Sequence, residues 1–166
     1  MPKIGDYLID THIFLWSLFA PENLPGSSKK MIEDRQNNVF VSAITFWEIS
    51  LKYSIGKLKL ENYLPHELPD IANDMNMEIL PLHADVAATF HLLPRRQHKD
   101  PFDRMLVWQA INSNLTLITC DNAIKVYVED GLKVLRDGGG EDVGCVWDVG
   151  CRTWDVGCRT FEGEIK

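Results

Sequence analysis

Along residues 1–136, short apolar runs alternate with longer stretches whose apolar positions recur every three or four residues. Tyr7-Leu8-Ile9, Val39-Phe40-Val41, Glu78-Ile79-Leu80, Leu115-Thr116-Leu117-Ile118-Thr119 and Lys133-Val134-Leu135 have the length of strands. The stretches between them predict helices over residues 12–19, from Ser27 or Ser28 as cap to about residue 36, and over residues 43–55, 64–75 and 84–93. A further helix runs from Asp100-Pro101 to about residue 112, and a short one follows Asp121. Gly56 and Pro94 read as stops, and Pro21 and Pro25-Gly26 as punctuation. Short apolar strands separated by helices predict an α/β chain, a parallel sheet covered on both faces in three α/β/α layers.

Four acids break this pattern where charge is costly. Asp10 and Asp121 stand at the ends of two strands, and ligands gather at the carboxyl ends of strands in open parallel sheets. Glu48 falls inside an apolar stripe of Ile44, Trp47, Leu51 and Ile55, at helical spacing. Asp103 heads an apolar face of Leu106, Val107, Ala110 and Ile111. Each has an ordinary reading too. Asp10 and Asp121 can cap helices, Glu48 can pair with Lys52 one turn on, and Asp103 can favour the helix dipole behind the cap Asp100. An i,i+4 pair is worth only about 0.2–0.5 kcal/mol, which is small against the cost of burying a carboxylate. The joint placement of the four is better explained by a shared cation, and hard oxygen ligands suit Mg²⁺ or Mn²⁺, not zinc. Thr119 and Thr11 stand beside two of the acids as supporting hydroxyls.

The five histidines are scattered, and packing or surface roles are expected for all except His98, which lies in the basic loop Arg95-Arg96-Gln97-His98-Lys99 ahead of Asp103. Trp16 and Trp47 are expected in the core, and Cys120 as a small apolar filler. The chemistry served by such an acid set is phosphodiester hydrolysis assisted by one or two divalent ions, with Asp121 as ligand or water-orienting base. Lys52, Lys57, Arg95, Arg96, Lys99 and Arg104 are the candidate phosphate contacts.

Bulk composition alters this picture little. The chain has 166 residues, 45% apolar and 25% charged, enough for one domain with a real core. No membrane span or signal-like stretch is visible, so a cytoplasmic protein is expected. The net charge of −7 is uneven: residues 1–136 hold 14 basic and 17 acidic residues, and residues 137–166 hold 3 and 7. That last segment repeats Asp-Val-Gly-Cys, beginning at Asp142, Asp148 and Asp155, after Gly138-Gly139-Gly140. Its spacing fits neither a heptad nor a zinc finger, and a dispensable, flexible extension is expected.

The acids also lie in recognisable surroundings. Leu8-Ile9-Asp10-Thr11-His12, Ser42-Ala43-Ile44-Thr45-Phe46-Trp47-Glu48-Ile49, His98-Lys99-Asp100-Pro101-Phe102-Asp103-Arg104-Met105-Leu106 and Leu117-Ile118-Thr119-Cys120-Asp121 resemble the four signature segments of PIN domains, in order, over about residues 5–136. The resemblance is to the bacterial branch that supplies VapC-type toxins of toxin–antitoxin pairs. It implies an α/β/α fold and a Mg²⁺- or Mn²⁺-dependent endoribonuclease acting on RNA. Asp10, Glu48, Asp103 and Asp121 would be its metal and catalytic residues, with Thr119 at the hydroxyl position. It implies a homodimer and a cognate antitoxin. The repeat segment has no counterpart in that pattern. Two other readings are a PIN-fold binding module without turnover, and a phosphotransfer enzyme with Asp10 as nucleophile. The latter wants an acid two residues after Asp10, where this chain has His12.

Overall fold

Leu8 and Ile9 are adjacent in sequence and belong to different cores, as are Leu117 and Ile118. Successive side chains of a strand point to opposite faces, so a strand apolar at both positions must be covered on both sides. The computed structural model describes residues 4–135 and has that arrangement. Strands β1 (Asp6–Ile9), β2 (Asn38–Ser42), β3 (Met77–Leu80), β4 (Thr116–Ile118) and β5 (Lys133–Val134) form one sheet in the order β3-β2-β1-β4-β5, with every pairing parallel. In register, Leu8 lies between Phe40 and Leu117, and Ile9 between Val41 and Ile118.

One face carries Ile9, Val39, Val41 and Ile118 against Ile13 and Phe14 of helix α1 (Thr11–Phe19), Ile49 of α3 (Ala43–Ser54), and Leu68 and Ala72 of α4 (Leu68–Asp74). The other carries Leu8 and Leu117 against Val107 and Ala110 of α6 (Pro101–Asn112), with Ile124 and Tyr127 of a 3-10 segment (Asn122–Asp130). The chain is thus the expected three-layer α/β/α sandwich. Two shorter helices, α2 (Gly26–Glu33) and α5 (Ala84–Ala88), complete it.

Several boundaries differ from the sequence expectations for local reasons. Helix α2 starts one residue before Ser27 and has no side-chain cap; Ser28 is buried instead. The segment after Leu64 opens as a 3-10 turn (Pro65–Glu67) before α4, because Pro65 and Pro69 lack the N–H groups a continuous helix needs. The helix predicted over residues 84–93 divides into α5 and a 3-10 turn (Phe90–Leu92). Gly56 ends α3 as expected, at φ +73, a conformation side chains resist.

The larger correction concerns α3. Of its expected apolar stripe only Ile44 is buried; Trp47 is 60% exposed, and Leu51 and Ile55 are exposed. The inward face is Ile44, Thr45, Glu48 and Ile49. Trp47 packs edge-on against Phe102 at 5.1 Å instead of entering the core. Apolar residues occur on more than one side of this helix, so periodicity alone left its rotation open. The side turned inward is the one that brings Ile49 into the core with Val39 and Val41 of the sheet. Trp16 and Cys120 are partly buried against the first core. The repeat segment lies outside the described residues.

Candidate active site

The strand order places the topological switch point between β1 and β4, from which the chain winds outward in both directions. The crevice at the carboxyl ends of two such strands is where α/β proteins receive ligands. Asp10 directly follows β1, and its N–H donates to the Ile118 carbonyl at 3.2 Å, which extends the pairing with β4. Its carboxylate caps α1, with Oδ1 accepting the Ile13 N–H at 2.8 Å. Thr119 joins the two strand ends: its hydroxyl hydrogen-bonds the Asp10 carboxylate, and its Oγ1 accepts the Asp121 N–H at 3.0 Å. Asp121 caps the 3-10 segment through the Ala123 N–H at 2.8 Å. The capping roles and the placement at the crevice therefore coexist.

Two helices bring the other acids. Ser42 caps α3 by accepting the Ile44 N–H at 3.0 Å, and its hydroxyl donates to Gln109 Oε1 in α6. Gln109 Nε2 in turn donates to the Pro81 carbonyl at 3.2 Å. This buried polar link fixes α3 against α6, and so Glu48 relative to Asp103. Helix α6 begins as its sequence requires: Asp100 accepts from the N–H groups of Phe102 and Asp103, and Pro101 takes the first turn.

Glu48 is fully buried and both its oxygens are engaged. Oε2 accepts from the Thr11 hydroxyl at 2.5 Å, and Oε1 forms an ion pair with Lys52. The ordinary partner foreseen for Glu48 is real, but the pair is inside the protein and not at its margin. Asp103 Oδ2 meets His98 Nε2 at 3.0 Å, and Asp121 Oδ2 lies 3.8 Å from the same nitrogen. One ligand atom from each of His98, Asp103 and Asp121 lies within 4.8 Å of the others. Asp10 and Glu48 are not part of that trio; both are buried and near enough to Asp103 for its charge to act on them. Of the histidines, the basic-loop one is drawn into the acids, as its position five residues before Asp103 suggested. Its exact place between two carboxylates required the fold.

The charges are under-compensated. Burial raises the Asp10 carboxyl to about 7, and the nearby Asp103 and Glu48 push in the same direction. Burial also raises Glu48 despite Lys52, and raises Asp103 despite His98. Hydrogen bonding to Asp103, with the charges of Asp103, Asp121 and Asp100, raises the His98 imidazole. Buried carboxylates that strain toward neutrality, beside the convergent Asp103, Asp121 and His98, form a donor set that fits a hard divalent cation. His12, near Lys52, is pushed down to about 3, chiefly by burial, and stays neutral.

Beside the trio opens a cavity of about 400 Å³ lined by Arg95, Arg96, His98, Lys99 and Arg104. Arg96 is held by Asp130 in a paired contact at 3.0–3.2 Å. Arg104 donates to the Leu93 carbonyl at 3.3 Å, and its guanidinium lies 4.8 Å from the Phe90 ring centre. These two shape the wall, and Arg95 and Lys99 complete its positive lining.

An open parallel sheet with acids gathered beside its switch point defines a class: α/β proteins whose ligand crevice lies at the carboxyl ends of the strands. Within it, the PIN domain family model matches residues 7–129, and the chain belongs to that family. It is 25% identical over 118 residues to Ribonuclease VapC22 of Mycobacterium tuberculosis (strain ATCC 25618 / H37Rv), a match covering 71% of this chain and 88% of that protein. Among solved structures it resembles VapBC2 from Rickettsia felis bound to a DNA fragment from their promoter, with TM-score 0.56 and 20% identity over 78% of this chain and 97% of that one. FitAcB from Neisseria gonorrhoeae gives TM-score 0.53 and 20% identity over 78% and 96%.

Proposed function

We propose that this PIN domain is a divalent-metal-dependent endoribonuclease, the toxin of a toxin–antitoxin pair, with Mg²⁺ or Mn²⁺ as its ion. The observation that carries the reading is the meeting of Asp103, Asp121 and His98 beside the buried Asp10 and Glu48, at the switch point of a PIN fold. In this reading Asp10, Glu48, Asp103 and Asp121 make up the acidic site, and Thr11 and Thr119 orient two of them. Those acids would hold the ion, whose chemistry when bound would be to make a water more acidic for attack on a phosphodiester and to offset charge at the phosphate.

The protein's own groups do the rest. Asp10 is fixed by its cap and by Thr119, so its free oxygen direction is set before substrate arrives. Asp121, the most exposed of the four acids, is the one this reading assigns to orienting water. The positive cavity adjoining His98 receives RNA phosphates on one side of the scissile bond, with Arg95 and Lys99 as contacts and Arg96 and Arg104 as its frame. Lys52 serves the site from inside. Trp47, exposed on α3 and backed by the half-buried Phe102 of α6, is in reach of a partner protein; an antitoxin and a second copy are the partners this family reading calls for.

Incubation with RNA should give internal cleavage in Mg²⁺ or Mn²⁺ and none in EDTA. RNA bound but never cut, in either ion, would favour a binding module and defeat the enzyme reading. Arg95→Ala and Lys99→Ala should each raise KM for all RNA sequences alike. Each should also flatten the plot of log KM against log salt by about 0.7, the value for one lost single-strand phosphate contact. An unchanged salt slope would remove that residue from the RNA path.

A further inference from the structure

The interior half of the acid site already contains a cation. Lys52 lies one helical turn after Glu48 on α3 and pairs with its Oε1, while Thr11 donates to Oε2. The Glu48 side chain is 1% exposed and that of Lys52 is 12% exposed. An exposed pair at this spacing is a minor contact, but a buried one cannot lose a partner without leaving an uncompensated charge. The ammonium is held from a second direction by the Phe102 ring, 5.9 Å from its centre. The outer half differs. There Asp103 and Asp121 share only the His98 imidazole, and the three ligand atoms already lie within 4.8 Å of one another.

We propose that Lys52 is a built-in cation occupying the place of a second metal ion, so that each chain binds one divalent ion, on the Asp103–Asp121 side. Glu48 then acts through Lys52 and is not an ion ligand. The inference rests on the acidic crevice being an ion site, and refines how the site divides. It also assigns Lys52 to positioning charge within the site, not to contacting RNA. A tethered ammonium supplies one fixed positive charge without the entropy cost of capturing an ion, but it cannot polarise water as a divalent ion does. The two halves therefore have separate tasks.

Mn²⁺ titration of the full chain, read by electron paramagnetic resonance and calorimetry, tests this without reference to activity. The wild type should bind one Mn²⁺ per chain. Lys52→Met, which frees Glu48, should bind two, and its metal-free melting temperature should fall below that of wild type and recover with Mn²⁺. Lys52→Arg, which keeps the charge, should still bind one. Should Lys52→Met fail to fold, the double variant Glu48→Gln/Lys52→Met removes both charges and should bind one. Two ions on the wild-type chain overturn the inference with no variant needed, as does a folded Lys52→Met chain that binds only one. No ion on any of these proteins would overturn the metal reading as well.

Discussion

Asp10→Asn should leave a folded protein that no longer cuts RNA. Asparagine keeps the structural role of this position: it caps helices about as well as aspartate, so the bond from the Ile13 N–H survives, and its amide can still hydrogen-bond the Thr119 hydroxyl. The lost feature is the negative charge at the end of β1. Disturbing an outer-shell partner costs a metal site roughly 10–100-fold, and losing a charge that faces the ion should cost more than that. The loss should appear in kcat and in Mn²⁺ affinity, while circular dichroism is unchanged. Stability provides a second check. Raising the Asp10 carboxyl from 3.8 to about 7 corresponds to roughly 4 kcal/mol against its ionised form in the metal-free fold. Above neutral pH, metal-free Asp10→Asn should therefore be at least as stable as wild type. Wild-type cleavage by this variant would show that Asp10 takes no part in the chemistry.

Metal-free wild type should lose stability as pH rises from about 6.5 to about 8, and the bound ion should restore most of it. The sign follows from the protons held. Asp10, Glu48, Asp103 and His98 are all raised in the fold, so the native state holds more protons than the unfolded chain and stability falls with increasing pH. His12 opposes them. It is lowered from 6.5 to about 3, which makes stability rise with pH between those values. Below about 6.5 Asp10 and His12 largely offset each other; above it the unfolded His12, half protonated at 6.5, loses its remaining protons, and its opposing slope fades toward about pH 7.5. Asp10 alone should then cost roughly 1 kcal/mol between pH 6.5 and about 8. Because the ion prefers ionised carboxylates, the gain on adding Mn²⁺ should be larger at the upper end of this range. Urea denaturation in EDTA and in Mn²⁺ across the interval measures both. A metal-free stability that climbs over this range would mean that the acids are not buried as described.

Much of the architecture could be read directly from the chain. Leu8-Ile9, Val39-Phe40-Val41 and Leu117-Ile118 are apolar on both faces, a pattern that only a sheet covered on two sides accommodates, and the folded chain has that sheet. Asp100-Pro101 marked the start of α6 because a side-chain acceptor and a missing N–H satisfy a helix end locally. Where apolar residues fell on more than one side of a helix, as around Trp47 in α3, local pattern could not select the inward face, and the exposed Trp47 is the result. The edge of α2 was missed for a related reason, since Ser27 and Ser28 looked like caps but Gly26 had already begun the helix.

The amino-acid order alone dictated the strands, the helix starts and the presence of acids at costly positions, because those are matters of residues a few places apart. Which groups would answer those acids depended on separations of tens of residues. Thr11 reaches Glu48, Thr119 links Asp10 to Asp121, and His98 stands between Asp103 and Asp121. Lys52 was visible as a neighbour of Glu48, but its burial was not, and burial turns a weak surface pair into a fixed interior charge. Dielectric surroundings are a property of the packed molecule, and they set the protonation of this site.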